Sequence, residues 1–156
     1  IRYFMPTLLE YVKLGGVLVV QYNTNGRMQT DNFAPFPITL SRERVTDENA
    51  PVKILKPGHS LLTFPNKISE DDFQGWVQER GLYFPDKWDR NYETLLSMND
   101  PGDASTEGSL LVAKYGEGHY IYTGLSFFRQ LPEGVPGAYK LFANLISSGK
   151  IKRTKS

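Results

Sequence analysis

Phe4, Leu8, Leu9, Tyr11, Val12 and Leu14 recur about every 3.6 residues, which predicts an amphipathic helix over residues 3–14. Gly15-Gly16 closes it, because glycine accepts the left-handed conformation that ends helices. Val17-Leu18-Val19-Val20-Gln21-Tyr22 follows with apolar side chains on both faces. Such a run predicts a central parallel strand covered from both sides. Helix, double glycine and buried strand together form the second half of a β-α-β unit. With Ile1 as its first residue, the chain reads as a segment of a longer polypeptide whose first strand lies upstream.

Residues 23–37 are rich in Asn, Gly, Thr and Pro and predict a long loop. Strands are expected at 38–45, 52–55 and 95–98, with turns at Pro57-Gly58 and at Asn99-Asp100-Pro101-Gly102-Asp103. Ser69, with Asp72 three residues on, resembles a capping box and predicts a helix over 70–80. Residues 81–94 carry Tyr83, Phe84, Trp88 and Tyr92 around Pro85 and read as irregular. The clearest hairpin joins 109–115 to 119–125 through a three-residue loop, Gly116-Glu117-Gly118. Pro136 opens a closing helix that runs to Ile146 and ends before Gly149. The whole reads as one domain over 1–149 followed by a basic, frayed tail over 150–156.

Composition narrows the function classes. A net charge of +1 argues against a dedicated nucleic-acid binder, which needs a strongly basic face. The 156 residues include no cysteine, which excludes disulfide scaffolds, zinc–thiolate sites and thiol nucleophiles together. No apolar run approaches the roughly 20 residues of a membrane-spanning helix. His59 and His119 show none of the spacing of a metal-binding helix, so no metal or cofactor is expected. The turn at 99–103 lacks the ligand spacing of a calcium loop. Gly116 and Gly118 join two strands and so do not form a dinucleotide fingerprint.

Two groups of residues remain as ligand candidates, and no catalytic residue is assigned. Gln21, Tyr22 and Asn23 follow the carboxyl end of the expected parallel strand, where open α/β sheets bind their ligands. Amides and a phenol there suit hydrogen bonding to a polar ligand and not nucleophilic attack. The second group is Trp76, Glu79, Arg80, Trp88 and Asp89, in a stretch over 69–103 that holds nine acids against three bases. Rings can stack on sugar C–H faces while carboxylates take the hydroxyls. The alternative for this stretch is an insertion whose aromatic side chains fill its own small core. A carbohydrate hydrolase would need two carboxylates at about 5–5.5 or 6.5–9.5 Å, for which Glu79 with Asp86 or Asp89 are the candidates.

Two stretches resemble the class I glutamine amidotransferase-like superfamily, in its non-amidotransferase branches. One is Tyr11 to Val20; the other is the hairpin Lys114-Tyr115-Gly116-Glu117-Gly118-His119-Tyr120-Ile121-Tyr122-Thr123-Gly124-Leu125. Pro65 to Ile68, Asp72 to Phe84 and Arg129 to Tyr139 resemble the C-terminal region of bacterial LmbE/PIG-L-type N-acetylglucosamine deacetylase proteins. The resemblance implies a three-layer α/β/α flavodoxin-like fold, truncated at its N-terminus, with a C-terminal β-hairpin and closing helix. The family's nucleophilic cysteine would fall where Gln21 or Tyr22 stands, so no glutaminase chemistry is implied. The zinc-dependent deacetylase chemistry belongs to a separate N-terminal domain, whose ligand motif does not occur here. The implied role is a non-catalytic accessory domain that assists glycan binding or assembly. Its expected partners are a glycan and the N-terminal deacetylase domain of the same polypeptide, in an extracytoplasmic location. A carbohydrate hydrolase using carboxylates of the 70–93 segment and an oligomerisation module are the alternatives.

Overall fold

The structure is a computed structural model and describes residues 5–21 and 34–148. Helix α1 (Met5–Lys13) ends at Gly15, whose φ of 117° only glycine adopts readily, and strand β1 (Val17–Gln21) follows. Strands β2 (Ile38–Val45), β3 (Val52–Ile54), β4 (Gly81–Trp88), β5 (Tyr92–Thr94) and β6 (Leu96–Met98) come next. The hairpin of β7 (Leu110–Tyr115) and β8 (Gly118–Thr123) precedes α2 (Phe127–Gln130) and α3 (Pro136–Ile146).

Four strands form the main sheet in the order β1-β8-β7-β5. Strand β1 runs parallel to β8, with Val17 opposite His119 and Gln21 opposite Thr123. The β7–β8 and β5–β7 pairs are antiparallel. Period-two alternation then divides the core. Val17, Val19, Val112 and Ile121 face one side, where Leu141 and Leu145 of α3 meet Leu61, Leu62, Phe73 and Trp76. Leu18, Val20, Leu111, Ala113, Tyr120 and Tyr122 face the other, where Leu8, Leu9 and Val12 of α1 meet Ile38 and Tyr92. The remaining strands form two separate antiparallel pairs, β2–β4 and β3–β6.

This arrangement overturns the flavodoxin-like three-layer expectation. Among the described residues one strand pair is parallel, and every other pair is antiparallel. The hairpin is the physical reason. Tyr115 pairs directly with Gly118, so the connection is a two-residue Gly116-Glu117 turn and not a three-residue loop. So short a turn forces antiparallel pairing and sets β7 beside β8, where a doubly wound sheet needs another crossover. Gly116, at φ 58°, takes the first central position of that turn, as a type II′ hairpin requires.

Strand β1 is also not central among the described strands. Among the described residues it pairs with β8 alone and lies at the sheet margin, half-buried along its whole length. Its two apolar faces are explained by α1 on one side and the α3 core on the other.

The helix expected over 70–80 is a single 3-10 turn, Glu70–Phe73. The Ser69 N–H does donate to the Asp72 carboxylate at 2.9 Å, so the start signal is used. Gln74 then turns extended, and Gly75 and Gln78 take φ of 77° and 65°, which no helix accommodates. The stretch over 81–94, expected to be irregular, contains β4 and β5. Pro85 is tolerated because the β2–β4 ladder shifts register around Leu40, leaving its missing N–H unneeded. The turn at 99–103 is a turn here too, and it has a structural task. The Asp100 carboxylate accepts from the Thr46 N–H, the Thr46 hydroxyl and the Asp47 N–H at 2.8–2.9 Å. Burial alone would raise that carboxyl, but these bonds and the charge of Arg44 outweigh it and hold it below its ordinary value. A group depressed in the folded state adds stability above its unfolded pKa and loses it as pH falls through the folded value. Asp100→Ala should therefore lower stability by about 1 kcal/mol at neutral pH. The gap between parent and variant in urea titrations should begin to close only below about pH 4 and vanish once the folded carboxyl is protonated.

Candidate functional site

Gln21 is the last residue of β1, and its side-chain amide donates to the Leu125 carbonyl at 3.4 Å. It joins the carboxyl ends of the two parallel strands, which is the place the sequence assigned to a ligand. Tyr22 and Asn23 lie outside the described residues.

The Trp76, Glu79 and Arg80 cluster is assembled from the segment between the 3-10 turn and β4. Trp76 is buried, with its ring 5.4 Å from that of Phe73 and 5.9 Å from that of Phe127. Its indole N–H donates to the Asp72 carbonyl at 3.0 Å. Gly75 before it is left-handed, and the buried Trp76 ring leaves neither face open to a sugar. Glu79 is 8 % exposed and its carboxylate is held by the Arg129 guanidinium of α2. Arg80 is 4 % exposed and donates from Nε and Nη2 to the Ala50 carbonyl, at 3.1 and 2.9 Å. Its Nη1 donates to the Phe73 carbonyl. Burial pulls the guanidinium's proton affinity down, while Asp47 and Glu48 oppose that pull.

Trp88 and Asp89 sit elsewhere. Trp88 ends β4 opposite Ile38, half-buried, with part of its ring against Gly108. It packs into the core on the α1 side of the main sheet, whereas Trp76 belongs to the α3 side. Asp89 is half-buried and turns the chain towards β5. Its Oδ1 accepts from the Asn91 N–H at 2.9 Å, and its own N–H donates to the Pro37 carbonyl at 3.0 Å. The sequence-marked residues therefore do not share one surface.

The carboxylates suggested for hydrolysis do not pool their charges. Glu79 is paired with Arg129, Asp72 with Lys140 of α3 at 3.1 Å, and His59 faces Glu93 at 3.6 Å. Asp86 stands exposed on β4. Among the described residues no group of three or more His, Asp or Glu side chains is placed to hold a metal ion.

Sequence reasoning missed a buried polar hub. The Ser126 hydroxyl donates to the Glu79 carbonyl at 2.7 Å, and the Gln130 amide exchanges hydrogen bonds with both backbone groups of Val77, at 2.8 and 2.9 Å. These bonds satisfy an irregular backbone that has no ladder of its own. The local signal was Gln130 at i+4 from Ser126, on a helix of only four residues that apolar periodicity did not reveal.

No family model matches the sequence, and no curated protein matches it. Among solved structures, the cytoplasmic protein STM3548 from Salmonella typhimurium superposes with a TM-score of 0.58 at 15 % identity. The alignment covers 92 % of this chain and 58 % of that protein, so the chain spans little more than half of its neighbour's length. At that identity the likeness concerns the fold alone. Among the described residues no helix is long and apolar enough to cross a membrane.

Proposed function

We propose that this chain is a non-catalytic accessory domain of a larger, LmbE/PIG-L-type polypeptide, and that it meets glycan at the corner formed by Trp88 and Asp89. One observation carries the reading. Glu79 and Arg80 are tied to Arg129 and to backbone carbonyls and Trp76 fills the core, whereas Trp88 and Asp89 keep part of their surface in solvent. A half-buried indole with one edge near Gly108 offers an amphipathic platform to a sugar ring. The Asp89 carboxylate beside it has lone pairs left for a hydroxyl after serving Asn91.

Calorimetric titration of the full chain with N-acetylglucosamine oligomers tests this. Binding should weaken about tenfold or more in Trp88→Ala, a loss of roughly 1.4 kcal/mol. Equal affinity of parent and variant, or no binding by the parent, would remove this corner from the account. Release of reducing sugar or acetate by the purified chain would favour the hydrolase instead.

An oligomerisation module is a second reading, favoured by β1. That strand carries no lysine, proline or bulge to guard its outer edge, and Leu14 beside it is 77 % exposed. Light scattering that gives a monomer at high concentration would set this reading aside.

A further inference from the structure

His59 lies outside both ligand candidates, and its ring does something the sequence does not reveal. It sits at the N-terminus of the 3-10 turn Ser60–Leu62, in an extended conformation, and its Nδ1 accepts the Leu61 N–H at 3.1 Å. Only an unprotonated Nδ1 has the lone pair for this bond, so the proton of the neutral ring resides on Nε2. Nε2 points to Glu93 at 3.6 Å, and Lys56 reaches the same carboxylate at 3.0 Å.

The capped turn matters because it plugs the core. Leu61 and Leu62 are buried against the α3 side of the main sheet. The Leu61 carbonyl accepts from Asn144 of α3 at 2.9 Å, and the Leu62 carbonyl accepts from the Ile68 N–H at 2.8 Å. The charged groups facing the ring are Glu93 on β5 and Lys56 in the turn after β3; α3 meets the turn through the neutral Asn144.

We propose that His59 is a proton-released latch: the neutral ring caps the Ser60–Leu62 turn, and protonation of Nδ1 expels the Leu61 N–H and loosens that turn from α3. Two donors cannot share one hydrogen bond, so the capped geometry and the imidazolium exclude each other. The direction follows from the surroundings. Burial disfavours the charged ring and lowers its pKa; Glu93 opposes this and Lys56 adds to it. The folded chain thus binds this proton less readily than the unfolded chain, whose histidine titrates at about 6.5. The latch is closed above that pH, and its contribution is lost as pH falls through the lower folded value.

Amide hydrogen exchange of the full chain over a series from pH 7.5 down to about 4.5, corrected for intrinsic rates, reads the latch at Leu61 on both sides of the ordinary histidine range. Protection of that amide should fall about fivefold or more in the parent, the range expected for loss of a cap. His59→Asn, which caps without titrating, should keep protection constant, and His119→Gln should behave as the parent does. The same pH dependence in the parent and His59→Asn would overturn the proposal, as would loss of the dependence in His119→Gln. Ring-nitrogen chemical shifts of the parent give an independent answer. The Nε2–H tautomer at pH 7.5 supports the latch, and the Nδ1–H tautomer sinks it.

Discussion

Arg80→Met should lower the free energy of unfolding by about 3–5 kcal/mol, read from urea denaturation with an unchanged slope. Methionine replaces most of the stem's volume but supplies no donor, so two buried carbonyls lose their partners. Ala50 accepts two bonds from the guanidinium and Phe73 accepts one. A hydrogen bond from a charged group contributes about 1.5–3 kcal/mol, and an orphaned buried acceptor costs a similar amount. The position also joins distant segments. The Arg80 N–H donates to the Val45 carbonyl at the end of β2, and the Arg80 carbonyl accepts from the Ser126 N–H before α2. Arg80→Lys should recover less than half of the loss, because one ammonium cannot bridge two acceptors with the reach of a planar fork. A loss below about 1 kcal/mol in Arg80→Met would show that the chain holds these segments together by other means.

Gly118→Ala should cost about 3 kcal/mol or more, through a different mechanism. A Cβ at this position would lie 2.1 Å from the carbonyl oxygens of both Val12 and Gly16. Neither oxygen can retreat easily. Gly16 accepts from the His119 N–H at 3.1 Å, and Val12 is buried against the main sheet at the end of α1. Relief would need α1 to move off β8 or the β1–β8 register to open. Gly58→Ala is the control, since a Cβ there meets nothing within 4 Å and no unusual backbone angle is required. It should be neutral or stabilising by up to about 1 kcal/mol, through the unfolded state. If thermal unfolding gave both variants the same midpoint, close approach would not be the reason for glycine at 118.

Gly118 also shows how far local reading carried. The sequence marked it as a loop residue, because two glycines around Glu117 suggest a turn. The turn is there, but Gly118 is a strand residue whose missing side chain makes room for α1. Only the packing of a helix that lies about 100 residues earlier in the chain reveals that. Trp76 and Trp88 make the same point. Their acidic neighbours suggested one aromatic surface, and the fold sends them to opposite sides of the main sheet. The hub of Ser126, Gln130 and Arg80 left only its i, i+4 pair of Ser126 and Gln130 in the local sequence, since its other hydrogen bonds join residues some 50 positions apart.

The sequence by itself determined the elements whose causes are local. Apolar periodicity with a glycine stop made α1, Pro136 with its periodic Leu141 and Leu145 made α3, and a glycine-bearing turn between two strand-forming runs made the hairpin, though not its two-residue loop length. The absence of cysteine fixed the chemistry that is excluded. Tertiary structure alone decided that β1 stands at the sheet margin among the described residues, that the helical part of the 70–80 segment is one 3-10 turn, and which polar side chains are committed to backbone. The reason is one of range. Periodicity and turn chemistry act over a few residues, whereas burial, strand order and the satisfaction of an irregular backbone depend on partners that only the folded chain brings within reach.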